Sequence, residues 1–141
     1  VFRARDQLGN VTESPRVAGT PAAVDLTPPE PDPAEWDPAN APLRTQDRMG
    51  NYVDYMMAAQ AQDPEGTLVE YRFVCEDSAS LSSPWRSQPW IDHNGDTREP
   101  WEYIVQVSRF GDHFWHVVYR DTSPNLNQTQ PSTTIRTQGQ D

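Results

Sequence analysis

Three histidines, a loop of carboxylates, five tryptophans and two glycosylation sequons are the residues of this chain whose types could do chemistry. His113 and His116 are three apart, but along a strand that spacing sends their rings to opposite faces, so they do not converge on a metal. With His93 they are expected at the surface or at strand edges. Asp92, Asp96, Glu99 and Glu102 cluster, and a carboxylate pair is what glycoside hydrolysis requires. No apolar pocket to raise one of their pKa values is evident, and a solvated loop is the expected state. Phosphate-loop, nucleophile-elbow and zinc-ligand spacings do not occur. The chain therefore reads as a non-catalytic protein.

Trp36, Trp85 and Trp90 lie beside prolines in short segments. They could stack on sugar rings, although covering a sheet edge is the more ordinary task of such side chains. Trp101 and Trp115 share parity with apolar neighbours and are expected in the core. Asn10-Val11-Thr12 and Asn127-Gln128-Thr129 are N-glycosylation sequons. The same two loops offer Asp6 and Asn10, or Asp121 and Asn125, as oxygen ligands for calcium. Two ligands per loop fall short of the six or more that calcium takes, so turns braced by Asp and Asn side chains are expected, with no cofactor required.

These residues need a scaffold, and the clearest part of it is Leu68–Glu76. There Val69, Tyr71, Phe73 and Cys75 alternate with Glu70, Arg72 and Glu76, the pattern of a strand with one buried face. Tyr52–Gln62 also has period two, with Val53, Tyr55, Met57, Ala59 and Ala61 on one side. Its methionines and alanines would suit a helix, but the following DPEG turn favours a strand, expected to pair with 68–76. Pro84–Arg86 and Gln88–Asp92 read as short strands, and an edge strand is expected around Trp36. Trp101–Arg109 and Phe114–Asp121 form a further pair around a hairpin turn at Phe110–His113. Trp115, Val117 and Tyr119 should point inward. Gln128–Arg136 closes the fold.

Of the 141 residues only 35% are apolar and 14 are proline, so the ordered part must consist of strands separated by proline-bearing loops. The net charge is −10, and eleven scattered arginines with no lysine make no basic stripe. That distribution argues against nucleic acid or an anionic membrane as partner, and favours weak attraction of divalent cations. No apolar run approaches a membrane span. The first residue is Val1, which suggests a processed product or an excerpt of a longer protein. Cys75 is the single cysteine. It is expected in the core, with an intermolecular bridge as the alternative.

Residues 1–17 read as the end of a domain: a strand at Val1–Arg5, a turn at Asp6–Asn10 and a strand at Val11–Val17. Arg5-Asp6 recurs as Arg120-Asp121 and Asn10 as Asn125, a constant offset of 115 residues. That length is about one β-sandwich domain. The expected organisation is an orphan strand pair at 1–17 and a proline-rich linker at 18–33. An all-β, two-sheet antiparallel sandwich of about seven strands follows at 34–136, then a polar tail at 137–141.

The segments DLTPPEPDPAEW, MAAQAQDPEG, VEYRFVC, SPW and VVYRDTSPNLNQT, in this order, resemble the fibronectin type III-like and immunoglobulin-like repeats of large secreted bacterial proteins. The resemblance covers about residues 25–136, with 1–17 as the last strands of a preceding copy. A longer hairpin, WEYIVQVSRFGDHFW, departs from the usual short glycine-rich turn. The resemblance implies a non-catalytic extracellular module. It would be a repeat or subunit of a cell-surface fibre or adhesin-like protein, contacting copies of itself or neighbouring repeats through Val1, Phe2, Val11 and Val17. The alternative it implies is a carbohydrate-binding accessory module of a secreted polysaccharide-active enzyme.

Overall fold

The computed structural model describes residues 25–140, together with the strand backbone at 4–6 and 9–11. Strands β1 (Ala4–Asp6) and β2 (Gly9–Val11) pair antiparallel as a sheet of their own. The body is built from β3 (Leu43–Gln46), β4 (Tyr52–Met57), β5 (Val69–Cys75), β6 (Trp90–Ile91), β7 (Thr97–Arg98), β8 (Glu102–Gln106), β9 (His113–Asp121) and β10 (Ile135–Thr137). A single turn of 3-10 helix occupies Ala79–Leu81. The protein is an all-β antiparallel sandwich. One sheet has the order β3-β4-β8 and the other β10-β9-β5, with β6 and β7 as a separate hairpin.

Aromatic side chains from both sheets meet in the middle. Tyr71, Phe73 and Cys75 of β5 and Trp115, Val117 and Tyr119 of β9 face Met56, Ala58 and Tyr103 of the other sheet. The ring of Phe73 stacks on Tyr103 at 5.5 Å, and Trp115 meets Tyr103 edge-on at 5.8 Å. Such pairs add specificity to the apolar burial that drives the two sheets together. The inward faces of β5 and β9 are those the alternation predicts.

Several pairings differ from the expectation. β5 pairs with β9, from Val69↔Asp121 to Cys75↔Trp115, and not with β4. The alternation in β4 is inverted: Asp54 and Met56 point into the core, while Val53 and Tyr55 face outward. Val53 is nonetheless fully buried. It shares the outer face with Ile104, beneath the loop joining β6 and β7. A hydrogen bond between His93 and Asp47 and ion pairs from Arg48 to Asp96 and from Arg98 to Glu102 clasp the β6–β7 hairpin in place. Nor is Phe110–His113 a hairpin turn, because β8 and β9 belong to different sheets and the chain crosses between them there. The closing segment contacts β9 through Gln128, Thr129 and Ser132, and becomes a strand only at β10.

The expected linker and tail are also partly built into the body. Pro29 is fully buried, Glu30 bridges Gln62, and Ala34 donates its N–H to the Gln130 carbonyl. Proline lacks a donor, so a proline-rich stretch can run along a sheet edge with little unmet hydrogen bonding. At the other end Thr137 is buried against Asp54, and the N–H of Gly139 binds the Asp112 carboxylate.

Candidate functional site

Among the described residues, three places bring chemistry-bearing side chains together: the tryptophans with their arginines, a Cys75–Asp77–His113 corner, and one end of the sandwich where three aspartates meet. Trp36 is not a sugar platform. It is buried, stacks on Phe73 at 6.1 Å and donates its indole N–H to the Thr133 carbonyl. The reason is the bridge between Trp36 and Ala58, which turns the side chain into the core. Trp85 and Trp90 are half-buried, and each has an arginine over its ring, Arg120 at 4.2 Å and Arg86 at 3.8 Å. An indole face covered by a guanidinium is spent on cation–π attraction.

Most of the other expected groups have structural partners. Asp92 binds Arg98, Asp96 binds Arg48, and Glu102 accepts from the Tyr55 hydroxyl. His113 and His116 do diverge, one to Asp77 and the other to Glu76. Cys75, Asp77 and His113 lie close enough to hold a metal. Their hydrogen bonds already run to one another, with the thiol donating to Asp77 Oδ1 and His113 on Oδ2. Burial and then the Asp77 carboxylate push the thiol up to about 11, against the thiolate a metal needs. The side chains of Val1, Phe2, Asn10, Val11 and Val17 lie outside the described residues. Asn127 is described, and its amide nitrogen, the atom a glycan would need, donates to Asp25 O, Asp25 Oδ1 and Asp121 Oδ2.

Asp25, Asp63 and Asp121 come from three distant parts of the chain, and each contributes an oxygen to a group lying within 4.8 Å of one another. The β5–β9 register places Val69 opposite Asp121, which brings the Asp63–Gly66 turn beside the end of β9. Gly66 has φ 83°, a conformation that closes this turn and suits glycine. Asp25 is tied in from the entering chain, its carbonyl accepting from the amides of Asn125 and Asn127 at 2.8 Å. All three aspartates are buried, at 8%, 7% and 0% exposure.

Among the described residues no arginine or histidine hydrogen-bonds to these carboxylates. Asp63 Oδ2 accepts from Thr67, Asp121 Oδ1 from Ser123 and the Asn127 N–H, and Asp25 Oδ1 from Thr27 N–H and Asn127. Among the described residues, Asp25 Oδ2 and Asp63 Oδ1 are buried with no hydrogen-bond partner. Burial raises the Asp25 pKa to about 6, hydrogen bonds shared with the Asp63 and Glu65 carboxyls push the same way, and the Asp121 charge adds to them. Burial also acts to raise Asp63, but the Thr67 hydroxyl and N–H outweigh it and leave that group lowered. Asp121 is likewise lowered, by Asn127 and Ser123 against the effect of burial. Sequence reasoning reaches Asp121 and Asn125 but not Asp25 or Asp63, because only the strand register unites them.

No protein-family model, curated protein or solved structure matches the chain.

Proposed function

We propose that the chain is a non-catalytic, secreted structural module of fibronectin type III-like or immunoglobulin-like type. It would act as one repeat of an extracellular fibre or adhesin-like protein, or as the subunit of a surface filament. The observation that carries this reading is the β1–β2 hairpin, which among the described residues hydrogen-bonds to neither sheet of the sandwich. Two strands of three residues are too short to be stable alone in water, so the hairpin needs a partner sheet. A neighbouring copy would supply that sheet, by strand addition or as the preceding repeat. The recurrence of Arg5-Asp6 at Arg120-Asp121 fits such a row of repeats, although the two hairpins differ in register. Leu26, Leu68 and Leu126 are exposed beside the end where the chain enters. They offer that neighbour an apolar contact.

Amide hydrogen exchange on the chain before and after assembly tests this reading. The amides of 4–11 should exchange freely in dispersed particles and become protected in filaments or in a two-repeat chain. Protection in a monodisperse monomer would mean that the hairpin needs no neighbour, and the reading would fail. The alternative, an accessory module for polysaccharide, has less support, since Trp36 is buried and Trp85 and Trp90 each spend a ring face on an arginine.

A further inference from the structure

We propose that Asp25, Asp63 and Asp121 form a calcium site that clamps the entering chain to the end of the sandwich. Three buried carboxylates with oxygens within 4.8 Å of one another carry about three negative charges if all are ionised. Among the described residues no cationic side chain hydrogen-bonds to them, so no arginine offsets that charge. Buried charge without a counter-ion is among the most costly arrangements a fold can hold. The second observation is independent of the first. Among the described residues, Asp25 Oδ2 and Asp63 Oδ1 are out of contact with solvent and meet no hydrogen-bond donor, while the other oxygen of each side chain accepts two hydrogen bonds. A fold that satisfies four oxygens and leaves two bare in one cluster has the donor pattern of a metal site. There the second shell orients the ligands and the free lone pairs face the ion.

The donor set selects the ion. Carboxylate oxygens from loops suit a hard cation, and neither sulfur nor imidazole is present for zinc or copper. Oxygens no more than 4.8 Å apart fit around one ion at the 2.3–2.6 Å bond lengths of calcium. Magnesium keeps several waters and seldom uses more than two carboxylates, so it fits less well. Water and main-chain carbonyls would complete the shell. The consequence is mechanical. Asp63 and Asp121 are anchored at the β4–β5 turn and the end of β9, whereas Asp25 belongs to the segment through which the preceding residues join the body. Calcium would fix the direction in which that segment leaves the sandwich. This holds whether or not the chain works as a repeat.

The test uses the full 141-residue chain stripped with EGTA, with thermal unfolding and titration calorimetry in CaCl2 and, separately, MgCl2. Affinity in the range of extracellular calcium modules predicts one bound calcium and a melting temperature higher by about 5–10 °C in 5 mM CaCl2. The rise in MgCl2 should be much smaller. Asp63→Asn should weaken calcium binding about tenfold or more and abolish the shift. Asp25→Asn is the second variant, should either fail to fold. In EGTA it should melt at or above the parent, because it removes one repelling charge. A parent that ignores calcium, and gains stability in EGTA as pH falls from 7 to 5, would show that Asp25 and Asp63 share a proton instead. That result overturns the proposal, as does a calcium shift that survives both substitutions.

Discussion

The indole N–H of Trp115 donates to Asp54 Oδ2 at 3.0 Å, joining the two sheets of the sandwich through a fully buried carboxylate. Asp54 also receives the Arg44 guanidinium from β3 and the Thr137 hydroxyl from β10. The far side of Arg44 donates to the carbonyls of Ser108, Arg109 and Gly111, and so holds the crossing from β8 to β9. Removing Asp54 leaves the buried Arg44 cation without its counter-charge and the Trp115 N–H without its acceptor. Asp54→Ala should therefore cost about 3–5 kcal/mol in urea unfolding. The double variant Arg44→Met with Asp54→Leu removes both charges and should be less destabilised than Asp54→Ala alone. A residual cost of about 1–3 kcal/mol would remain from the stranded Trp115 N–H. A double variant no better than the single one would mean that packing, not charge pairing, dominates at this position.

Tyr119 performs a comparable task with one hydroxyl. Its oxygen lies 2.7 Å from the Ala59 carbonyl and accepts the Glu35 N–H at 3.2 Å, which pins the entering segment to the end of β4. Burial pushes this phenol well above its ordinary pKa, so the proton stays on the oxygen at any physiological pH. Tyr119→Phe keeps the ring and its edge-on contact with Tyr71 but strands both main-chain groups. The expected loss is about 1–3 kcal/mol with an unchanged denaturant slope.

What could be read in the chain follows from how each strand buries its residues. β5 and β9 carry apolar side chains at every second position, so both their existence and their inward faces are legible at Tyr71, Phe73, Trp115 and Tyr119. β3 has no such pattern. Leu43 is exposed, and the inward residue is Arg44, a charge made tolerable only by Asp54. The same pair inverts β4, because a reading by polarity sends Asp54 to solvent. Gly111 marks a bend, yet the bend serves a crossing between sheets, and that depends on contacts made by Arg44 more than sixty positions earlier. Asp25 and Asp63 were hidden for a related reason. Nothing near either residue in sequence resembles a ligand loop, and their proximity arises only when β5 meets β9.

Cys75 offers a direct check on the packing of β5. Its side chain is 2% exposed, which leaves no access for a disulfide to another chain. With the thiol pushed up to about 11, the thiolate fraction at pH 8 is about 0.1%. A colourless disulfide reagent that releases a chromophore should react negligibly with the folded chain over minutes, and rapidly once urea unfolds it. Fast native reaction would mean that β5 opens locally at its C-terminal end.

Acid should loosen the contact between the β5 exit and the start of β9. Asp77 Oδ1 accepts the Phe114 N–H at 3.0 Å and the Cys75 thiol, while Oδ2 holds His113 at 2.8 Å. Burial raises the Asp77 pKa, but the Phe114 N–H and then His113 outweigh it and leave it at about 2. The unfolded value is about 3.9. The folded group is the stronger acid, so its stabilisation is complete above the unfolded value and is lost as pH falls from about 4 to about 2. The carboxylate is about one-third exposed, and solvent screening limits the contribution to on the order of 1 kcal/mol. Asp77→Asn can still accept the Phe114 N–H but carries no charge. Its melting temperature should lie below the parent's at pH 7 and approach it at pH 2. Parallel curves across that range would mean that the Phe114 hydrogen bond alone, and not the charge, stabilises this corner.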